Sequence, residues 1–211
     1  MRDDEIKYKI MLAAKEEFMQ NGYLNASMRS IAAKAGLTTG SLYNRFIDKE
    51  ELFEAIVKEA ADELLSYFEG VQKEFAGFDA YQQREEMHSY TKQKVDEMMD
   101  IVYRRLDEFK LIICKSSGSR YEFFIDRMVD IETENTVRFI QDLKQAGIPV
   151  ADVRPDLNHM LASAMFNGIF EVIRHNLPKD EAMTYIHQTF AFFNAGWDVL
   201  LGLGEKHNNL E

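Results

Sequence analysis

The stretch at residues 27–46 reads SMRSIAAKAGLTTGSLYNRF, and it predicts two short helices separated by a sharp turn. The hydroxyl of Ser27 can accept a backbone N–H that lacks a partner inside the helix, so the first helix is expected to begin directly after it. Gly36 is expected to end this helix, because glycine adopts a positive φ without a steric penalty. Thr38 offers the same cap to the second helix. The stretch therefore predicts a helix-turn-helix.

The second helix presents side chains that suit a DNA groove. Leu42 and Phe46 lie four residues apart, so both are expected to face the first helix and to leave the remaining surface to solvent. Asparagine pairs bidentately with adenine and arginine with guanine, while hydroxyls bind bases or phosphates. The alternative is an ordinary packed helical hairpin, which would not require Gly36, Thr38 and Gly40 in this register.

A third helix is expected to follow at once. Asp48 can cap it and Glu51 can complete a capping box, which places Lys49 in the first turn among unpaired N–H groups. Bases are expected to meet Thr39, Ser41, Asn44 and Arg45, and phosphates to meet Ser27, Tyr43 and Lys49. The full set of predicted DNA-binding residues is Ser27, Arg29, Thr38, Thr39, Gly40, Ser41, Tyr43, Asn44, Arg45 and Lys49.

A wider pattern of small and apolar residues surrounds this segment, from residue 5 to about residue 57. It comprises Ile10, Ala13, Ala14, Phe18, Gly22, Ile31-Ala32, Ala35-Gly36, Gly40-Ser41-Leu42-Tyr43, Phe46 and Lys49-Glu50-Glu51-Leu52. This pattern resembles the N-terminal domain of TetR-family transcriptional regulators. The resemblance implies a homodimer formed by the last two helices and an effector site in the remainder of the chain.

Four positions depart from the pattern common in that family. Thr39 stands where a basic residue is frequent, and Asn44 and Arg45 stand where His is frequent. Base preference is therefore not implied by the resemblance. Ser30 stands where an acidic residue often completes the cap begun by Ser27, which predicts a weakened start for the first helix of the pair.

Composition bounds the rest of the chain. Its 211 residues, 46% of them hydrophobic, are enough to bury a substantial core in one or two domains. The three prolines all fall late, and helix-forming residues dominate, so the fold is predicted to be all-α. We expect a three-helix helix-turn-helix DNA-binding domain at residues 1–48, continuous with a larger helical effector-binding and dimerisation domain at residues 49–211.

Compartment and charge follow from composition as well. A single cysteine, Cys114, favours a reducing compartment, and neither a membrane span nor a signal peptide is predicted, so a cytoplasmic protein is expected. The net charge of the whole chain is −11, and residues 1–50 carry +1. The other residues therefore carry −12. This distribution predicts weak non-specific and salt-sensitive specific DNA binding.

Apolar periodicity predicts helices throughout the rest of the chain. They comprise a long helix from Lys49 to Gly70 or the Gly77 region, an apolar series from Val95 to Ile113, a helix from about Tyr121 to Gln145, and two last helices at about 155–176 and 179–202. The last two are apolar on most sides, so a homodimer through residues of about 155–202 is expected to bury the second face. The alternative is a monomer in which these helices are simply interior.

Polar residues on the apolar face of the helix before Gln145 predict a site for a small-molecule effector. The predicted lining is Tyr103, Phe124, Met128, Glu132, Asn135, Phe166, Asn167 and Glu171. Its acidic members favour a cationic or hydroxyl-bearing effector. Alternatively, Glu132 pairs with a core Arg or reaches solvent.

Catalytic and metal-binding patterns are largely missing from the sequence. Glu171 and His175 have the spacing of zinc or nickel ligands, but no matching third and fourth ligands appear, so no metal or cofactor is expected. No nucleophile-base pair or phosphate loop is found. We therefore expect not an enzyme but a transcriptional regulator, a repressor that an effector releases from a palindromic operator. An enzyme built on Cys114 and an architectural DNA-binding protein are the alternatives.

Overall fold

The computed structural model describes residues 3–204, and within them the chain forms helices without any strand. The helices are α1 (Asp3–Asn25), α2 (Met28–Lys34), α3 (Thr39–Tyr43), α4 (Lys49–Ala76), α5 (Ala80–Arg104), α6 (Leu106–Lys115), α7 (Phe124–Gln145), α8 (Pro155–Arg174) and α9 (Lys179–Leu201). The predicted all-α class is confirmed. None of these helices combines the length with the apolar character that crossing a membrane requires.

The described residues pack into two compact units. The first comprises residues up to Leu64 together with Val102–Phe124, and the second comprises Leu65–Ile101 together with the residues from Ile125 onwards. Helices α4 and α5 each contribute to both units. These units are defined by packing, so the functional boundary predicted at residues 48 and 49 stays a prediction.

An aromatic cluster forms the centre of the first unit. The ring of Phe53 lies edge-on to Phe18 at 5.0 Å and to Tyr23 at 5.3 Å between centroids, and Tyr121 lies 6.0 Å from Phe53 on another side. Phe18 and Phe53 are completely buried. Edge-to-face aromatic pairs add to the stabilisation that burial provides, so this cluster fixes α1 against α4.

The helix-turn-helix is confirmed in its local details. The hydroxyl of Ser27 accepts the N–H of Ser30 at 3.4 Å, and that of Thr38 accepts the N–H of Ser41 at 3.2 Å. Gly36 has a φ of 71°, as the predicted turn requires. Leu42 is completely buried and holds α3 against the core.

The beginning of α4 differs slightly from the predicted capping box. Asp48 accepts the N–H of Glu51 at 2.8 Å, as predicted. The carboxylate of Glu51 returns to the N–H of Ile47, at 2.5 Å, and so reaches one residue before the cap. Helix α4 continues through Gly70 and ends directly before Gly77.

Two helix boundaries differ from the sequence expectation. The apolar series from Val95 to Ile113 is divided between α5 and α6 at Arg105, whose φ of −120° and ψ of 41° are not helical. The guanidinium of Arg105 is held there by Glu63 at 2.7 Å. Helix α7 begins at Phe124 instead of Tyr121, because Tyr121 lies in a turn with its N–H bound to the hydroxyl of Ser119.

The second unit contains the last two helices. Pro155 opens α8 as predicted, and α9 packs beside it. Gly168 of α8 faces Thr189 of α9, and an added Cβ on Gly168 would lie 3.8 Å from the methyl group of Thr189, which is an ordinary van der Waals contact. The same two helices still leave large apolar side chains exposed, which include Phe192 and Val199.

The start of α2 depends on Glu17 of α1, a residue that the sequence analysis did not single out. Its side chain is buried, and its carboxylate accepts the N–H of Ser27 at 3.3 Å and the hydroxyl of Ser30 at 2.6 Å. Asn21 donates at 3.0 Å, and Lys34 forms an ion pair at 3.2 Å. Burial alone would raise the pKa of Glu17, but these donors outweigh it and hold the pKa below its usual value.

Glu17 thus supplies what Ser30 lacks. In a capping box an acidic side chain accepts the N–H of the cap residue from three positions ahead, and here the carboxylate performs that task from a neighbouring helix. The weakened helix start predicted from Ser30 is therefore wrong. The carboxylate stabilises the first turn of α2 and joins that turn to α1.

Replacing this carboxylate is expected to destabilise the fold. Glu17→Ala leaves the N–H of Ser27 and the hydroxyl of Ser30 without partners, so the free energy of unfolding should fall by roughly 2–4 kcal/mol in urea titration. Glu16→Ala is the matched control, since Glu16 is exposed and its loss should cost under about 0.5 kcal/mol. Equal losses in the two variants would contradict the assignment.

The effect of Glu17 should also depend on pH. A carboxyl group whose pKa is lowered by folding stabilises the folded protein fully when the pH is above 4.5, the pKa of the group in the unfolded chain. This stabilisation disappears as the pH falls through the lowered pKa of the folded protein. The difference in unfolding free energy between the wild-type protein and Glu17→Gln should therefore be constant above pH 4.5 and should shrink below it.

Candidate nucleic-acid interface and ligand cavity

Three predicted DNA-binding side chains are exposed and ready for contact. Tyr43 and Asn44 lie at the end of α3 and Arg29 in the first turn of α2, and each is exposed. Within residues 3–204 none of the three side chains has an ion-pair or hydrogen-bond partner. The cations Lys15 and Lys34, by contrast, are paired with carboxylates at 3.0–3.2 Å.

The N-terminal end of α3 carries the predicted small and hydroxyl-bearing residues. Thr38 and Gly40 are exposed, and Thr39 and Ser41 are half-buried. An added Cβ on Gly40 would meet no atom within 4 Å, so the space over this residue is open. A surface without a side chain permits close approach by a ligand or by another backbone.

Arg45 and Lys49 are partly committed to internal contacts. Arg45 donates to Asp3 at 2.7 Å and to the carbonyl of Ser41 at 3.3 Å, and its Nε is buried without a partner. The ammonium of Lys49 donates to the carbonyls of Leu24 and Ala26 at 3.0 and 3.3 Å.

Lys49 also lies over an aromatic ring. Its Nζ is 4.6 Å from the centroid of Tyr23, a cation–π distance. The carbonyls that it binds close the loop between α1 and α2, where helix-end oxygens lack partners. Lys49 therefore stabilises the start of the helix-turn-helix, whatever its role towards phosphate.

The second unit contains a cavity of about 160 Å³. Aromatic, aliphatic and polar side chains from α4, α5, α7, α8 and α9 form its wall. The rings include Phe68, Phe75, Tyr90, Phe139, Phe166 and Trp197. A concave site that combines apolar side chains with convergent polar groups is a usual form of a small-molecule site.

Three of the predicted effector residues line this cavity, namely Glu132, Asn135 and Phe166. The other five do not. Met128 is fully buried in the core, Asn167 is exposed and bound to Ser163, and Glu171 is half-buried and paired with Arg174. Tyr103 and Phe124 belong to the first unit. The effector-binding role of all eight residues stays a prediction.

Glu132 neither pairs with an arginine nor lies on the outer surface. Its Oε2 accepts the Nε2–H of Gln72 at 2.7 Å, and among residues 3–204 no cation lies within ion-pair distance. Burial disfavours the charged form and raises the pKa of Glu132 to about 7, against a smaller opposing effect of the Gln72 hydrogen bond. A carboxyl group poised between its two forms thus faces the cavity.

Two glutamines of the cavity wall were not anticipated. Gln72 and Gln83 lie beside polar and charged residues in α4 and α5, and residues in such stretches ordinarily face solvent on an amphipathic helix. Gln83 is 1% exposed, donates to the carbonyls of Phe75 and Phe78 at 3.3 Å, and keeps a buried Oε1 without a partner. Only the packing of the helices places them inside.

Other reactive groups of the chain do not gather into a site. His175 lies 3.0 Å from Glu171, but in the described part of the chain no group of three potential metal ligands exists. Cys114 is exposed near the end of α6.

Comparisons with known proteins agree with the geometry of the N-terminal segment. Residues 10–56 match the family described as bacterial regulatory proteins, tetR family. The HTH-type transcriptional regulator UidR of Escherichia coli (strain K12) is 38% identical over 60 residues, which are 28% of this chain and 31% of UidR. The HTH-type transcriptional activator FasR of Mycolicibacterium smegmatis is 38% identical over 63 residues, 30% of this chain and 29% of FasR. The chain thus matches less than a third of the length of each relative.

The likeness in fold extends much further along the chain. It covers 90% of this chain and 97% of NalD, the secondary repressor of the MexAB-OprM multidrug efflux pump in Pseudomonas aeruginosa, with a TM-score of 0.54 and 16% identity. At such low identity the likeness shows the fold alone. Residues 10–56 thus match the tetR family of bacterial regulatory proteins, and the fold of the described residues agrees with that match.

Proposed function

We propose that this protein is a homodimeric, sequence-specific DNA-binding transcriptional regulator, and that it represses transcription until a small-molecule effector releases it from its operator. The observation that carries the proposal is the exposed, unpaired set Arg29, Tyr43 and Asn44 on a helix-turn-helix that matches the tetR family. NalD is named a repressor and FasR an activator, so the sign of regulation is tested with a reporter gene.

DNA contact in this proposal falls into two kinds. Helix α3 enters the major groove with Thr39, Ser41, Asn44 and Arg45 towards base edges. Ser27, Tyr43 and Lys49 meet phosphates, with Arg29 beside them. Phosphate contacts provide affinity and register, and base contacts provide sequence preference.

The homodimer in this proposal forms through α8 and α9. Met160, Phe192 and Val199 are 66%, 75% and 82% exposed on these helices in the single chain. Large apolar side chains exposed at this level favour association, since burial of apolar area is the main driving force for obligate interfaces. A twofold dimer carries two recognition helices and therefore matches a palindromic operator.

Effector release in this proposal depends on α4. The helix runs unbroken from Lys49 to Ala76, and its residues Phe68, Gln72 and Phe75 line the cavity. A ligand that shifts α4 changes the positions from which the two recognition helices reach DNA, and loss of one groove contact forfeits much of the affinity.

Selection from random duplexes tests the proposal as a whole. The expected result is an enriched palindrome whose half-sites lie about one or more helical turns apart, bound by a dimer. A lone subunit in sedimentation, or the absence of any preferred motif, would overturn it. The alternatives, an enzyme using Cys114 or an architectural DNA-binding protein, are less well supported because the similar proteins are transcriptional regulators.

Tyr43→Ala should weaken DNA binding without changing its sequence preference. The phenol is expected to donate to a phosphate, and losing one such bond costs roughly tenfold in affinity, for operator and random duplex alike. Fluorescence anisotropy with both duplexes measures this. Tyr81→Ala removes another exposed tyrosine, from the second unit, and should leave affinity unchanged.

Asn44→Ala should act differently from Tyr43→Ala. A bidentate contact to a base is worth about 1–3 kcal/mol of discrimination, so specificity at one base position per half-site should relax while binding to random duplex is retained. Sequencing of the duplexes selected by each protein measures the change. Identical motifs before and after the substitution would remove Asn44 from the set of base-reading residues.

Phe192→Glu should dissociate the dimer. A charge in the middle of an apolar interface is expected to raise the dimer dissociation constant by about 30-fold or more, as for loss of an interface hot spot. Sedimentation velocity over a concentration series measures it. Phe123→Glu places the same charge on a 60% exposed phenylalanine in the first unit and should leave the dimer intact. A dimer indifferent to both changes would exclude this face of α9.

A further inference from the structure

We propose that the cavity of the second unit selects a cation that carries a single aromatic or similarly sized apolar ring, with Glu132 as its counter-ion and Gln83 as a second acceptor. The inference rests on the proposed function in taking this cavity as the effector site. It adds the chemical class of the effector, which neither the family nor the fold provides.

The size of the cavity sets the scale of the ligand. An apolar cavity of about 150 Å³ in another protein accommodates benzene. The cavity here is of similar size, at about 160 Å³, and its wall is aromatic on several sides. One ring with a short charged arm therefore fits this space.

Glu132 supplies the charge requirement. It is a carboxyl group on the cavity wall, with one neutral donor, Gln72, at 2.7 Å. In the part of the chain that the structure describes, no lysine, arginine or histidine compensates it. A buried carboxylate without a cation is costly, so a ligand that brings its own positive charge gains more here than a neutral ligand of the same shape.

The unpartnered oxygen of Gln83 is an independent sign that a donor is missing. The amide orientation of Gln83 is fixed, because its Nε2 donates to two carbonyls. Its Oε1 is therefore an acceptor, and it is buried without a hydrogen bond. Buried acceptors in folded proteins normally have a partner, and an ammonium group of a ligand with several N–H donors can provide one.

The other charged groups of the wall leave this preference intact. Lys94 is paired with Glu74 and Glu97 at 3.4 and 3.6 Å, and it lies over the ring of Tyr90. Arg138 is exposed, and Asp142 adds a further negative charge. The remaining lining includes eight aromatic residues, and ring faces also attract cations.

A matched series of one-ring compounds tests the class. Benzylamine, benzyl alcohol and benzoate share a ring and differ in charge, and their binding to the full-length protein without DNA is measured by calorimetry. Benzylamine is expected to bind at least about tenfold more tightly than benzyl alcohol, as for a hydrogen bond to a charged group, and benzoate is expected to bind more weakly than either. Equal binding of the amine and the alcohol, preference for benzoate, or no binding of any of the three would overturn the proposal.

A pair of variants tests the counter-ion. Glu132→Gln should reduce the preference for benzylamine over benzyl alcohol to within about twofold while benzyl alcohol still binds. Glu134→Gln makes the same charge change at an exposed position of α7 and should keep the full preference. Retention of the preference in Glu132→Gln would overturn the assignment. Should that variant fail to fold, the selectivity of the wild-type protein within the series still decides the class.

Proton release provides a further readout. Burial raises the pKa of Glu132 to about 7, so near pH 7 an ammonium ligand that fixes the carboxylate should release a fraction of a proton on binding, whereas benzyl alcohol should release none. Calorimetry in two buffers of different ionisation enthalpy measures this. The other titratable groups at the cavity are Lys94, Arg138, Asp142, Tyr67 and Tyr90, and Glu132→Gln identifies the source of the proton.

Failure of this inference is distinguishable from failure of the proposed function. If the protein binds benzylamine selectively but recognises no operator, the inferred ligand class holds and the proposed regulatory function is wrong. If the protein binds a palindromic operator but shows no preference for benzylamine, the inferred ligand class is wrong and the proposed regulatory function holds.

Discussion

The helix that reads DNA in this proposal is too short to exist alone, and the rest of the first unit is arranged to hold it. Helix α3 has five residues, whereas isolated helices of fewer than about 12 residues are marginal in water. Its position depends on the burial of Leu42 and Phe46 and on the cap at Thr38. Its partner α2 is anchored in turn to α1 by Glu17. The geometry of the interface is therefore a property of packing across three helices.

Sequence reasoning succeeded where the relevant physics is local. The caps at Ser27 and Thr38, the positive φ of Gly36 and the buried face of α4 all follow from residues within one or two turns. It failed where a side chain reaches another element. Glu17 lies ten residues before the N–H that it caps, and Gln72 lies 60 residues before Glu132. Nothing in the local pattern at either position indicates such a partner.

The cavity was found only in part from the sequence, for the same reason. A polar residue on an apolar helix face indicates that a partner exists, and this placed Glu132 and Asn135 correctly at the wall. It does not indicate which neighbouring helix provides the partner. Met128 shares a helix with Glu132 and is completely buried in the core, because one face of a long helix serves both core and cavity. Burial of Glu132 without a cation lowers the stability of the fold. The residue lies at the wall of the cavity and not within the packed core, as expected where a polar group serves function at a cost to stability.

The internal contacts of Arg45 and Lys49 determine how readily each can meet DNA. An ammonium group has three N–H donors, and Lys49 uses two on the carbonyls of Leu24 and Ala26, so one donor remains for a phosphate without loss of the others. The same carbonyls orient that donor. Arg45 must first release Asp3, but the carboxylate of Asp3 is 84% exposed, and exposed ion pairs contribute little. Neither contact therefore opposes DNA binding strongly, whereas Arg29, Tyr43 and Asn44 require no rearrangement. In the proposed complex with DNA, these three side chains can therefore make contact before Arg45 reaches a base.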